Sequence, residues 1–195
     1  MIREAQLFLL ADAALVDTVA RVDDWDAVVP PVFDMPGADR PATVRAMVAH
    51  LSYDEGWVPA MLAGRTMDEV GRDRFDDTGA DPRATLVRHA DAARAAARTV
   101  TDPDAPVHCA YGDCPAWHYL WQLVIARTLS AVDLAARLDL PDPLGEELAR
   151  GLHEGTAHMP EWRELGVYRT ARPVPDGASW HDRYLALTGR GTLAA

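Results

Sequence analysis

The chain has no lysine and no asparagine: all 19 of its basic residues are arginine. Isoleucine is nearly missing too, occurring only at Ile2 and Ile125. Such a bias is what a GC-rich genome imposes, and it carries no chemistry. The shortage of positive charge does. With 30 acidic residues against 19 basic ones the formal net charge is −11, so there is no surplus of cations to release counterions from a phosphate backbone. That argues against nucleic acid as a partner and, by the same electrostatics, against an anionic membrane surface. Long apolar runs are also missing: none approaches the roughly 18 to 20 residues of a membrane span. The first helical stretch, "MIREAQLFLLADAALVDTVA", is broken by Arg3, Glu4, Asp12 and Asp17 and lacks the apolar core of a signal peptide. A cytoplasmic location is expected. Cysteine is scarce, with Cys109 and Cys114 in "HCAYGDC". Their spacing fits neither a thioredoxin-like site, with two intervening residues, nor a structural zinc site, which needs four ligands. Two small apolar residues packing a tight turn are expected, with a regulatory disulfide as the alternative.

What is present is helical periodicity. A chain of 195 residues, 49% hydrophobic, suffices for one well-buried core, and a single domain over 1–195 is expected. Phe8, Ala11, Leu15, Val19 and Val22 form one stripe, predicting a helix over about residues 3–22. Pro30, Pro31 and Pro36 then break the chain. Thr43 is a candidate N-cap for a second helix, with Val44, Met47, Val48, Leu51, Val58, Met61 and Leu62 on its apolar face. After the loop in "DDTGADPRATLV", Asp81 caps a helix with Pro82 at its first position and a small-residue face of Leu86, Ala90, Ala93, Ala97 and Val100. The turn-rich "TDPDAPVHCAYGDCP" leads into a long helix from about Pro115 to Leu138, ended by "DLPDP"; a weaker helix follows around 144–157. No alternation is long enough for a sheet. The tail from about 163 reads as an extended extension packed on the rest, with a short helix around 179–188 and a final "GTLAA" expected to fray. The fold class expected is all-α, a four-helix bundle.

On the second helix, taking about 100° per residue from Met47, the apolar stripe centres near about +30°; Asp54 falls near about −20°, Met61 near about −40°, His50 near about −60° and Trp57 near about −80°. A carboxylate so close to an apolar face must find a donor or lose its charge. His50, four residues earlier, is the nearest one, and such a pair can orient the imidazole. A structural histidine with Asp54 reaching solvent is the competing reading. On the long helix Trp121, Ile125, Leu129 and Val132 make the core stripe with His118 on the same side, and Gln122, Asp133, Ala126 and Ser130 form a neighbouring ribbon.

Taken together, "ATVRAMVAHLSYDEGWVPAMLAGRT", "YGDCPAWHYLWQL", "VDLAARL" and "RELGVYRTARPVPDGASWHDRYLALTGR" resemble the DinB-like, mycothiol-dependent maleylpyruvate isomerase superfamily in its short actinobacterial branch. The resemblance implies a DinB-like four-helix bundle holding a divalent metal between helices. It places the first ligand at His50 and the other two at Ala126 and Ser130. Alanine offers no donor and a neutral serine hydroxyl is a poor ligand for a divalent ion, so the implied metal site is degenerate, with His50 its only surviving ligand. No cofactor is then expected; a zinc- or nickel-like ion held by other residues, or mycothiol, is the alternative. The reading is a small-molecule enzyme that has lost its metal, with catalytic residues His50, the general base or acid, and Asp54, which orients it, and with Trp57, His118, Trp121, Gln122 and Ser130 binding the substrate. Isomerisation, cyclisation or elimination suits such a site, with specialised metabolism as the setting. A metal- and thiol-dependent isomerase or S-transferase and a non-catalytic metabolite-binding protein are the competitors. The sequence leaves a homodimer open.

Overall fold

The computed structural model describes residues 1–35, 40–75 and 81–191. Pro36, the loop segment 76–80 and the last four residues of the tail lie outside them.

Helix boundaries follow their caps. Thr43 has extended backbone and its hydroxyl accepts from the Ala46 amide at 3.2 Å, starting α2 (Val44–Leu62). Asp81 does the same for Ala84 at 3.1 Å, starting α4 (Pro82–Ala97), where Pro82 loses nothing because its first-turn amide would have no helical partner. α1 (Arg3–Ala20) and the long α5 (Ala116–Leu138) complete the set of long helices; α5 stops at Asp139, which turns left-handed with φ 55°. α6 (Glu146–Thr156) and α8 (Trp180–Leu187) are shorter, and α3 (Met67–Val70) and α7 (Glu161–Glu164) are single turns. The chain is mostly helical.

The expectation of no sheet needs correcting. β1 (Val28–Val29) pairs with β2 (Ala42–Thr43), and β3 (Pro106–Cys109) pairs with β4 (Gly112–Pro115) in a tight antiparallel hairpin. Both sheets have only two strands. The hairpin sits in the stretch read as turns, because four-residue strands rich in Pro, Gly and Cys show no period.

α2 packs on α4, α4 on α1, and α1 on α5. Phe8 and Ala11 of α1, Ala93 and Ala97 of α4 and Leu120, Val124 and Leu129 of α5 share one core from which water is excluded, while Leu15 of α1, Leu86 of α4 and Leu134 of α5 belong to a second. The small residues of α4 are what let α1 and α2 approach. α2 and α5 do not pack closely on each other, so the ring of long helices stays open along one seam. The tail is tied down by Arg190, which donates to both oxygens of Asp133 on α5, at 2.7 and 2.6 Å, and to the Val32 carbonyl at 2.9 Å. No helix among the described residues is long and apolar enough to cross a membrane.

Candidate active site in the seam between α2 and α5

Two cavities lie side by side in this seam. The proline-side cavity, about 310 Å³, is walled by the segment Pro30 to Phe33, by Met47, His50, Leu51 and Asp54 of α2, and by Ala126, Arg127 and Ser130 of α5. The hairpin-side cavity, about 290 Å³, takes Tyr53, Asp54, Trp57 and Met61 from α2, Tyr119, Gln122, Leu123, Ala126 and Arg127 from α5, and Cys109 to Tyr111 from the hairpin. Asp54, Ala126 and Arg127 belong to both. The α2 residues recur every three or four positions, as one face of a helix must. Ala126 has only a methyl group to place between the two cavities.

Beneath this junction lies a buried charge cluster with one residue from each long helix: Asp12 of α1, Glu55 of α2, Arg94 of α4 and Arg127 of α5. Arg127 is 1% exposed and its Nε donates to Glu55, which is fully buried. Its Nη1 is 3.9 Å from Asp54 Oδ2, an ion-pair distance but not a hydrogen bond, and its Nη2 has no hydrogen-bond partner. Burial works against the Arg127 charge, yet Glu55 and Asp54 outweigh it and hold its pKa above the ordinary arginine value.

Asp12 is in the opposite position. Arg94 comes within 3.3 Å of one oxygen without donating a hydrogen bond, and neither oxygen has a hydrogen-bond partner. Burial first, and the like charge of Glu55 second, push its pKa up to about 7 against the pull of Arg94 and Arg127. The folded state therefore holds a proton that the unfolded chain releases near pH 3.8. The stability this contributes is fully present below pH 3.8 and is lost as pH rises to about 7. Denaturant titrations at pH 5 and pH 8 should show wild type losing more stability over that interval than Asp12→Asn, which cannot ionise. Equal losses would mean that Asp12 is already ionised at pH 5.

The sequence-predicted residues divide. His50, Asp54 and Ser130 line the proline-side cavity together with Ala126; Asp54, Trp57 and Gln122 line the other. His118 lines neither. Its ring stacks on Trp162 with centroids 5.6 Å apart, and its Nδ1 is 3.2 Å from the Gln122 amide nitrogen, whose amide oxygen accepts from the Tyr111 hydroxyl. It therefore braces the cavity wall from behind. Trp121 is also placed elsewhere: it is 3% exposed and packs into α6 where Gly155 has no side chain to oppose it. His50 departs from expectation as well. Its Nε2 is 3.7 Å from Asp54 Oδ2, outside hydrogen-bonding range, and its side chain is 67% exposed. The shared ribbon faces an open seam rather than a packed helix, so water can solvate the imidazole and nothing obliges it to pair with Asp54.

Glu55, Arg127, Asp12 and Tyr119 are the residues that sequence reasoning missed. Glu55 lies near about +80° on the α2 wheel, as far from the stripe centre as Asp54 on the other side. Arg127 lies opposite the α5 core stripe, where amphipathic reasoning puts water. The usable signal was that α5 is apolar on nearly all sides, which marks a buried helix and makes a mid-helix arginine a group in need of a partner.

Across the hairpin, Cys109 and Cys114 point to one face with their sulfurs 3.9 Å apart. Burial, and then Cys109, push the Cys114 thiol up to about 12. Since the thiolate is the reactive form, iodoacetamide at pH 8 should alkylate Cys114 at least about tenfold more slowly than a free thiol, as read by peptide mass spectrometry. A rate equal to that of the free thiol would show that Cys114 is not held protonated.

The donors at this site do not suit a divalent ion. His50 points to the mouth, Ala126 and Ser130 stand at the other two positions implied by the resemblance, and no group of three His, Cys, Asp or Glu side chains among the described residues could hold a metal. Comparison with protein-family models finds no match, and neither the curated proteins nor the solved structures yield one.

Proposed function

We propose that the protein is a small-molecule enzyme that moves a proton within the seam between α2 and α5, catalysing an isomerisation, cyclisation or elimination. The observation that carries this is the position of Asp54. It lines both cavities, is 38% exposed, and lies within ion-pair range of Arg127 and His50 while hydrogen-bonded to neither. A carboxylate so placed is free to accept a proton from a ligand in either cavity. His50, on the solvent side, passes that proton to and from water. His50 is thus a relay at the mouth, and Asp54 takes the central role. The convergence of His50, Ala126 and Ser130 on one cavity supports a place among DinB-like proteins that have lost their metal ligands, since these are the three positions that the resemblance singles out.

The test is to incubate the protein with defined pools of small carbonyl and unsaturated compounds in deuterium oxide and find, by mass spectrometry, those that are converted or take up deuterium only in its presence. Asp54→Asn should abolish these events. If every protein-dependent conversion survives in Asp54→Asn, Asp54 is not the acid–base group and the reading is lost.

A further inference from the structure

We propose that the hairpin-side cavity recognises a carbonyl oxygen, and that the substrates are apolar ketones, β,γ-unsaturated ones among them, presenting an α-hydrogen to Asp54. This rests on the acid–base reading above and names its substrate class.

Two of the residues that line this cavity carry buried donors with no hydrogen-bond partner, Arg127 at Nη2 and Trp57 at Nε1. A buried donor left without a partner carries a desolvation penalty, so an acceptor that reaches these groups relieves it. Tyr119, 7% exposed, is a third donor. Burial holds its hydroxyl well above the ordinary tyrosine value, which keeps it an O–H, and the strongest charge acting on it is that of Arg127. Apart from Asp54 and the Gln122 amide, which accepts from the Tyr111 hydroxyl, the wall is largely apolar or aromatic, with Tyr53 edge-on to Trp57 at 6.2 Å, Met61 and Leu123.

The charges choose between acceptors. The Arg127 guanidinium is already balanced by buried Glu55, and Asp54 adds a further negative charge at the junction. A carboxylate or phosphate would meet Asp54 without a free cation to offset it. A neutral carbonyl does not, and it becomes strongly bound only when negative charge develops on its oxygen. The step then balances within the site. Asp54 removes the α-proton; the C–H electron pair becomes a C=C bond while the carbonyl π pair moves onto oxygen. That enolate oxygen accepts from Tyr119, Arg127 and Trp57. In a β,γ-unsaturated ketone the proton on Asp54 returns to the γ-carbon: the oxygen pair re-forms the carbonyl, the enolate C=C pair moves to the α,β position and the former β,γ π pair takes the proton, with no oxidant or reductant consumed. A carboxylate base paired with a phenol donor to the carbonyl oxygen is a known solution to this chemistry.

The experiment uses 2-naphthol, a planar mimic of a dienolate, beside its hydrocarbon isostere 2-methylnaphthalene and the anion 2-naphthoate, each titrated into the full-length protein and followed by tryptophan fluorescence. Naphthol should bind at least about tenfold more tightly than either, and Tyr119→Phe, which keeps the ring, should remove about tenfold of that affinity. Asp54→Asn should bind naphthol as tightly as wild type or more so. The isostere comparison in unaltered protein needs no variant to fold. Equal affinity for naphthol and methylnaphthalene, or no saturable binding, overturns the proposal, as does tighter binding of naphthoate. Selective naphthol binding together with unchanged turnover in Asp54→Asn would sustain the oxygen-recognition half and overturn the acid–base reading beneath it.

Discussion

Glu55→Leu is expected to lose about 3–5 kcal/mol of folding stability, because it strands the Arg127 guanidinium in a site where water cannot replace the lost carboxylate. Glu55 is fully buried and Arg127 1% exposed, so neither can relax outward to be solvated. For a chain of this size each kcal/mol lowers the melting temperature by roughly 2–4 °C, so the change is easily read by calorimetry or circular dichroism. The double variant Glu55→Leu/Arg127→Leu should recover most of the loss, since the one carboxylate then left at the junction without Arg127, Asp54, is 38% exposed and solvated. A single variant costing under about 1 kcal/mol would mean that water or another acid reaches Arg127. That would also undercut its assignment as a buried donor to the hairpin-side cavity.

Asp54→Asn should behave in the opposite way. Its side chain is 38% exposed and hydrogen-bonded to neither Arg127 nor His50, so stability should move by no more than about 0.5 kcal/mol. Turnover should fall by about 10² to 10⁴, the usual contribution of a positioned acid–base group. His50→Ala should cost much less, because water at the mouth can take over the relay. Measuring kcat and the melting curve on the same preparations separates these cases. If His50→Ala proved the more damaging of the two, the imidazole would be the base and Asp54 its support.

Much of this architecture was legible in the residues. Thr43, Asp81 and Pro82 announce their helices because a cap is a local event, decided within four residues. The α2 ribbon was legible for a similar reason: helical period alone sets which side chains share a face, and Asp54 and Trp57 do reach the cavities. Periodicity failed where burial has no contrast. α5 is covered on nearly every side, so its pattern could not show whether Trp121 faces α2 or α6. The slot left by Gly155 decides that, and the slot is a property of another helix. Arg127 was hidden in the same way. The hairpin and the single-turn helices α3 and α7 are too short to carry any period.

The open seam has a consequence for how such a protein can change. The load of folding falls on the contacts α2 makes with α4 and α5 makes with α1, and on the buried Glu55–Arg127 pair, while the rest of the facing edges of α2 and α5 borders the cavities. Half-buried residues such as Tyr53, Gln122 and Ala126 can therefore be exchanged with small penalties to the scaffold, and new chemistries can be tried there while the opposite side of the molecule keeps the chain folded.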